Sequence, residues 1–483
     1  MCGVFGAYSK NDNVAEDVYL GLSALQHRGQ ESAGIAWING DRRINLRRGM
    51  GLVHEALNQE QLSSLHASAV IGHVRYSTTG ASMPQNAQPI CANYARGPVA
   101  IAHNGNLTNF RTLRDTLENQ GAIFQSTSDT EAILHLLAHQ PGIRPLEALH
   151  LALEQARGAF SLVVLIEDGI VAARDPWGFR PLALGRRGDN WYVSSESCAF
   201  QLLGAEFVRD IEPGEVLLIG KNGLSSHYLS ERPERKRLCS FEYVYLARPD
   251  SVIEGRSVYK ARKEMGRRLA RGDSGERAPA AADIAEANFV APMPDSGTTA
   301  ALGYAQEAML PFESAVVRNR YVGRTFIQPT QRVRELGVRI KLNPSPELFA
   351  GNSVVLVDDS LVRGTTAGLI VAMIRECKTT AIHLRISSPP VRYPCFYGLD
   401  TPSSGDLAAA NYSLEEIAGS VGADSLCYLS KEDLTEAIGL PQEALCTACF
   451  DGDYLDPASE DERCGACSGG CERFFGRTKK NVS

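Results

Sequence analysis

The sequence predicts two α/β-type units in series: strands with interleaved helices in the first half, then a doubly wound parallel sheet. Three observations carry this expectation. Short apolar, β-branched runs recur through the first half with helical patterns between some of them, as packed sheet and helix layers require. After a polar, charged stretch at 231–237, the pattern becomes apolar strand, Gly/Ser/Thr-rich loop and helix, twice over. A length of 483 residues is enough for two to three domains, each with its own core.

In the first half the candidate strands are Gly3–Tyr8, Ser32–Ile38, Ala69–Arg75, Val99–His103, Phe160–Ile166 and Val216–Ile219, with helices at Asp17–Gln26 and Thr130–His139. In the second half, Asn288–Pro292 is a short apolar run that leads through Pro294-Asp295-Ser296-Gly297 into a helical stretch, Ala300–Met309. Ser353–Val357 repeats the plan, with a turn at Asp358–Thr366, a helix to about Glu376 and a further strand at Thr380–Ile386. Ligands of such sheets bind beyond the carboxyl ends of the strands, where both polar loops lie. Arg271–Glu286 reads as a surface helix or loop, and the tail after Pro457 is polar and rich in Gly and Cys.

Composition narrows the function. A net charge of −7 offers no electrostatic footprint for nucleic acid. There is no apolar run of membrane-spanning length and no secretory signal, so a cytoplasmic protein is expected. Twelve cysteines in a reducing compartment are poor candidates for disulfides. Cys91, Cys198, Cys377 and Cys427 are isolated and read as buried structural thiols. Cys446, Cys449, Cys464, Cys467 and Cys471 crowd the C-terminus, which suggests metal.

Cys2 follows the initiator methionine directly. Removal of Met1, which a small following side chain permits, leaves a thiol and an α-amine on one residue. The amine, with a pKa of about 7.7–8.0, can take the proton of a thiol that ordinarily titrates near 8.5. Amide hydrolysis also needs an oxyanion hole and a grip on the substrate's amino-acid end. Asn104 and Gly105, in Ala102-His103-Asn104-Gly105-Asn106, offer a side-chain and a backbone N–H. Arg75, in Gly72-His73-Val74-Arg75-Tyr76, can clamp an α-carboxylate, and Asp129 can pair with an α-ammonium. Each has a plainer alternative: Arg75 as a surface ion pair, His103–Asn106 as a turn, and Ser128–Glu131 as a helix start with a carboxylate at its positive end. His27 and His73 read as structural, because the amine already supplies the base.

Together with His27–Gly34 and Arg174–Leu182, these segments resemble the class II, N-terminal-nucleophile (Ntn) glutamine amidotransferases over about residues 2–230. The resemblance implies a four-layer αββα sandwich, with Cys2 as nucleophile, glutamine held by Arg75 and Asp129, and the oxyanion by Asn104 and Gly105. It also gives the Arg174–Leu182 loop a role in bracing the glutamine site.

In the second half, a buried strand ends in Asp358-Asp359, and its loop enters a helix through Gly364-Thr365-Thr366. Helix N-terminal amides and threonine hydroxyls make a phosphate cradle, and the carboxylates can hold ribose hydroxyls and a hydrated magnesium ion. This run resembles the phosphoribosylpyrophosphate (PRPP) motif of type I phosphoribosyltransferases, and Pro294–Gly297 resembles their pyrophosphate-side loop. The resemblance associates Ser296, Asp358 and Asp359 with Mg2+, and Gly364, Thr365 and Thr366 with the 5′-phosphate. The basic segment 318–341 would close over PRPP.

A chain with both constellations resembles the PRPP amidotransferases over about residues 2–455. That resemblance implies an enzyme that hydrolyses glutamine at Cys2 and passes ammonia to PRPP. The products are 5-phosphoribosylamine, glutamate and pyrophosphate, in the first committed step of purine biosynthesis. It further implies a homotetramer and feedback by purine nucleotides at sites overlapping the PRPP pocket. The segments around Cys239, Cys395, and Cys446 with Cys449 resemble the ligand segments of the iron–sulfur branch, which implies a [4Fe–4S] cluster with a structural role. That branch commonly carries a propeptide, whereas here only Met1 precedes Cys2. The expected domains are 2–232 (glutaminase), 233–456 (phosphoribosyltransferase with the cluster segments) and 457–483 (tail). Cys464, Cys467 and Cys471 have no counterpart in that pattern; zinc, an alternative ligand set or disorder stay open for them.

Overall fold

In the computed structural model of the chain, the described residues are 1–38, 43–63, 65–76, 82–140, 142–230, 233–272, 283–319 and 337–455. Among the described residues, the first half builds thirteen strands. They are β1 (Gly3–Tyr8), β2 (Ser32–Ile38), β3 (Ile44–Met50), β4 (Ala69–Arg75), β5 (Ile90–Tyr94), β6 (Gly97–Leu107) and β7 (Gly158–Ile166). Then follow β8 (Gly169–Arg174), β9 (Ala183–Arg187), β10 (Asn190–Ser194), β11 (Glu206–Asp210), β12 (Glu215–Gly220) and β13 (Gly223–Tyr228). One antiparallel sheet has the order β11-β9-β10-β1-β4-β2-β3 and the other β13-β12-β8-β7-β6-β5.

The alternation of side chains along each strand explains the stacking. In β1, Val4 belongs to the apolar layer between the sheets with Ile71, Ala102, Val163 and Ile170, while Phe5 and Ala7 face the helix Ala15–Ala24. On the other sheet, Leu162 and Val164 of β7 face the helices Thr130–Ala138 and Pro145–Leu153. The four layers αββα follow, as expected. β1, β2 and β4 match the strands read from the sequence residue for residue, and β6 is longer, which carries Asn104–Leu107 to the end of its sheet.

The second half holds a parallel sheet in the order Phe289–Pro292, Ser353–Asp358, Ala381–Ile386, Ser425–Tyr428. Its central strand is apolar on both faces. Val354 and Leu356 pack toward the helix Thr365–Glu376, whereas Val355 and Val357 pack toward the helices Val258–Arg271 and Thr298–Ala308. Burial on both faces is what a near-continuous β-branched run requires.

The stretch Arg271–Glu286, expected as a surface helix or loop, is described only at its ends: Arg271 closes a helix and Asp283–Glu286 is a short 3-10 turn. The helix is Val258–Arg271; the Ser257 side chain accepts from the Lys260 N–H at its start, and it stops at the left-handed Gly272. Residues 273–282 fall outside the described residues, as do 320–336 of the basic segment and 456–483, the tail with Cys464, Cys467 and Cys471. Cys198 and Cys427 are buried as expected, but Cys91 and Cys377 are only half-buried. No described helix is long and apolar enough to cross a membrane.

Candidate active site

β1 delivers Cys2 to one end of the sandwich, beside the ends of β4 and β6. The Cys2 backbone N–H donates to Asn104 Oδ1 at 3.3 Å, and its thiol donates to the Tyr76 carbonyl at 3.4 Å. With Oδ1 engaged, Asn104 Nδ2 is buried and has no hydrogen-bond partner among the described residues. A buried amide donor left this way is costly unless a ligand oxygen completes it. Next to it, Gly105 has φ +153°, and a Cβ there would sit 2.0 Å from the Ala159 carbonyl, so β6 can follow this path only with glycine.

Arg75, at the end of β4, is buried, with Nη1 3.6 Å from Glu31 Oε2. The alternative of a surface ion pair is therefore excluded. Asp129 is also buried. It makes no side-chain cap to its helix; Oδ2 accepts from the Leu107 N–H at 2.9 Å and Oδ1 lies 3.5 Å from His103 Nδ1. Burial raises its pKa, but the His103 ring and the backbone N–H groups outweigh this and hold the carboxyl below its ordinary value. His73 donates from Nε2 to the His103 carbonyl at 3.0 Å, and burial lowers it to about 3. It stays neutral at working pH, as a structural histidine.

A buried charge network lies behind Cys2 that sequence reasoning left unassigned. Arg28 Nε donates to the Cys2 carbonyl at 3.0 Å, and its Nη atoms pair with Glu196 at 2.5 Å and Glu242 at 2.9 Å. Glu196 also meets His27 at 2.7 Å, and Glu242 lies 3.5 Å from Arg180. Burial works against the Arg28 charge, but Glu242 and Glu196 overcome it and keep the guanidinium ionised. Removing one member would leave its partner's charge buried and unpaired. Arg28 stands inside the His27–Gly34 motif among polar neighbours, and nothing in that stretch sets it apart.

In the second half, the strand Ser353–Asp358 ends in Asp358, and Asp359 opens the loop that follows. Burial and the adjacent Asp359 carboxylate push Asp358 well above its ordinary value. The Ser296 loop packs directly against that strand end. A Cβ at Gly297 would lie 2.5 Å from the Val357 carbonyl and 3.2 Å from Asp358 Cα. Gly364, Thr365, Thr366 and Asp358 line one cavity of about 400 Å³.

A cavity of about 680 Å³ lies between the two halves; of the candidate residues Ser296 and Thr366 line it, whereas Cys2, Arg75, Asn104, Gly105, Asp129, Asp358 and Asp359 do not. Met1, Arg28 and Tyr76 line it from the first half, and Ser296, Thr366 and Asp400 from the second. The Tyr76 hydroxyl donates to Asp400 Oδ2 at 3.5 Å across it. Arg318 and Lys341, the described ends of the basic segment, are on its wall. A larger cavity of about 1210 Å³ near Tyr8, Glu147 and Lys221 is lined by none of the candidate residues.

The segments bearing Cys239 and Cys446 pair as short parallel strands, with these two residues in register. Cys449 follows one helical turn later, and Cys395 Sγ accepts from the Tyr397 N–H at 3.3 Å. Burial pushes the Cys239 thiol up to about 11. Burial and the other three thiols push Cys449 well above its ordinary value. Among the described residues, no group of three or more His, Cys, Asp or Glu is arranged to hold a metal ion.

A glutamine amidotransferase domain model matches residues 73–201. The amidophosphoribosyltransferase of Archaeoglobus fulgidus is 47% identical over 462 residues, covering 94% of this chain and 98% of its own length. That of Bacillus subtilis is 43% identical over 465 residues, 95% of each. The solved glutamine PRPP amidotransferase from B. subtilis, complexed with ADP and GMP, superposes with a TM-score of 0.86 at 42% identity, over 95% of this chain and 98% of that one. Similarity of this extent spans both constellations and the cavity between them, and the chain belongs to the amidophosphoribosyltransferase family.

Proposed function

We propose that this chain converts PRPP, glutamine and water to 5-phosphoribosylamine, glutamate and pyrophosphate, with the two half-reactions on either side of the 680 Å³ cavity. That shared cavity, walled by Arg28 and Tyr76 on one side and Ser296 and Thr366 on the other, is the observation that carries the reading. Once Met1 is removed, the freed Cys2 amine takes the thiol proton, and sulfur attacks the glutamine amide. Asn104 Nδ2 and the Gly105 N–H receive the oxyanion, while Arg75 and Asp129 hold the α-carboxylate and α-ammonium. Collapse to a glutamyl thioester releases ammonia, and water then frees glutamate. The ammonia crosses the cavity and forms its bond to C1 of PRPP as the bond to pyrophosphate breaks. Gly364, Thr365 and Thr366 hold the 5′-phosphate.

Asp358, Asp359 and Ser296 would hold Mg2+. An all-oxygen donor set suits it, and a raised Asp358 beside Asp359 is the strain that a cation relieves. When bound, the ion neutralises charge on the departing pyrophosphate. Cys239, Cys395, Cys446 and Cys449 would hold a [4Fe–4S] cluster, which spreads its thiolates wider than a single ion does. The four thiols lie close enough that Cys239, Cys395 and Cys446 each raise Cys449, and this proximity supports the reading; ligation would have to displace their protons. Its role would be structural, joining the segment after the glutaminase half to the C-terminal one. After anaerobic purification, iron and acid-labile sulfide should be present at close to four each per chain; stoichiometric zinc without sulfide would reject the cluster.

The domain limits 2–232, 233–456 and 457–483, a cytoplasmic homotetramer and inhibition by purine nucleotides at the PRPP pocket complete the proposal. The ADP and GMP in the B. subtilis relative support the last of these. The function is tested by following an isotopically labelled glutamine amide into phosphoribosylamine.

A further inference from the structure

The turn that carries Cys395 touches the glutamine-hydrolysing end of the molecule, about 290 residues away in sequence. Four contacts make the connection. Asn106 Nδ2, on the strand that bears Asn104 and Gly105, donates to the Phe396 carbonyl at 2.9 Å. Gly398 has φ +97° and lies so close to Gly105 that a Cβ on it would meet the Gly105 carbonyl carbon at 2.8 Å and its oxygen at 2.9 Å. Arg180, fully buried, donates from Nε and Nη2 to the Tyr397 carbonyl at 2.9 and 2.5 Å. The Tyr397 ring stacks on Phe179 with centroids 4.1 Å apart and planes 17° from parallel.

Arg180 itself is held. It lies 3.5 Å from Glu242, which pairs with Arg28, and Arg28 donates to the Cys2 carbonyl. Its loop is fixed by Arg174, which donates to the carbonyls of Gly178 and Arg180, and by Asp175, which accepts from the N–H groups of Trp177 and Phe179. A rigid loop therefore holds both the residue behind the nucleophile and the turn that abuts Gly105. A donor set for a developing oxyanion works only if its geometry is fixed before the reaction, and a small displacement is costly.

We propose that the turn Cys395–Gly398 is the brace that fixes Gly105 for glutamine hydrolysis, and that Arg180 is a positioning residue that clamps this turn through the Tyr397 carbonyl. The proposal rests on the reading of Asn104 and Gly105 as the oxyanion donors.

The test compares Gly398→Ala, Asn106→Ala and Arg180→Lys with Asn104→Ala in the full chain, each assayed with glutamine and with ammonium chloride. For Gly398→Ala and Arg180→Lys, kcat with glutamine should fall about 10–100-fold, approaching the ~10²–10³ that loss of an oxyanion donor costs. The KM for glutamine should stay within about threefold and turnover with ammonium within about twofold, as for a contact used only in the transition state. Asn106→Ala should show a smaller loss of the same kind. If Asn104→Ala loses glutamine turnover but the three turn variants match the parent, the brace is overturned and the oxyanion reading stands. If Asn104→Ala keeps full glutamine turnover, the oxyanion reading falls and the brace with it. Parallel loss of both activities in Gly398→Ala and Arg180→Lys would mean a general folding defect and would also overturn the proposal.

Discussion

Cys2→Ala is expected to lose glutamine-dependent phosphoribosylamine formation by at least about 10⁴-fold while keeping the ammonium-dependent reaction near the parent rate. The reason is geometric. Cys2 supplies the only sulfur proposed to attack, and its neighbours Asn104, Tyr76 and Arg28 hold it by its backbone and thiol, so a methyl group leaves the pocket standing without a nucleophile. The PRPP loop belongs to a different sheet and core, built on Ser353–Asp358, and alanine at position 2 removes nothing from it. Steady-state rates with each nitrogen source check this. Loss of both reactions in a folded protein would reject the division of labour between the two halves.

Asp359→Asn is expected to cripple phosphoribosylamine formation from either nitrogen source by about 10²–10⁴-fold, the several kcal/mol that charge stabilisation at a departing pyrophosphate is worth. Asp359 is buried, accepts from the Ser360 hydroxyl at 2.6 Å and donates its N–H to Asp358 Oδ1 at 2.8 Å. An amide keeps the shape of this turn but withdraws one of two adjacent negative charges. Asp358, relieved of that neighbour, should titrate closer to its ordinary value. The same variant should bind PRPP more weakly at fixed magnesium, which calorimetry reads directly. Unchanged turnover with ammonium would reject the role of this pair in binding PRPP.

What the sequence made legible follows from local physics. β1, β2 and β4 lie in sheet centres, where apolar alternation is strongest, and Ser353–Asp358 is buried on both faces. Edge strands were invisible for the converse reason. β3, with Arg47 and Arg48 in its middle, and β13, with Ser225, Ser226 and His227, have little apolar face to show and are held by backbone pairing. The fourth parallel strand, Ser425–Tyr428, is no shorter than Phe289–Pro292, but its Ser-Leu-Cys-Tyr run has no β-branched residue to mark it.

The site divides in the same way. Cys2, Asn104, Gly105, Asp358 and Thr366 sit in compact motifs whose residue types fit one chemistry. Arg28, Glu196, Glu242 and Arg180 are brought together only by folding, and no spacing connects them. The contact of Gly398 with Gly105 is equally silent in sequence, since a close approach of two backbones leaves only two glycines as its trace.

The central claim is that nitrogen passes inside the protein from Cys2 to PRPP. It is tested most directly by supplying glutamine labelled with ¹⁵N at the amide, together with PRPP, magnesium and excess unlabelled ammonium, at a pH where free ammonia is scarce. The account predicts phosphoribosylamine carrying the glutamine label in proportion to glutamate formed, with little dilution by the bulk pool. Product labelled only to the level of the mixed bulk ammonia would contradict it.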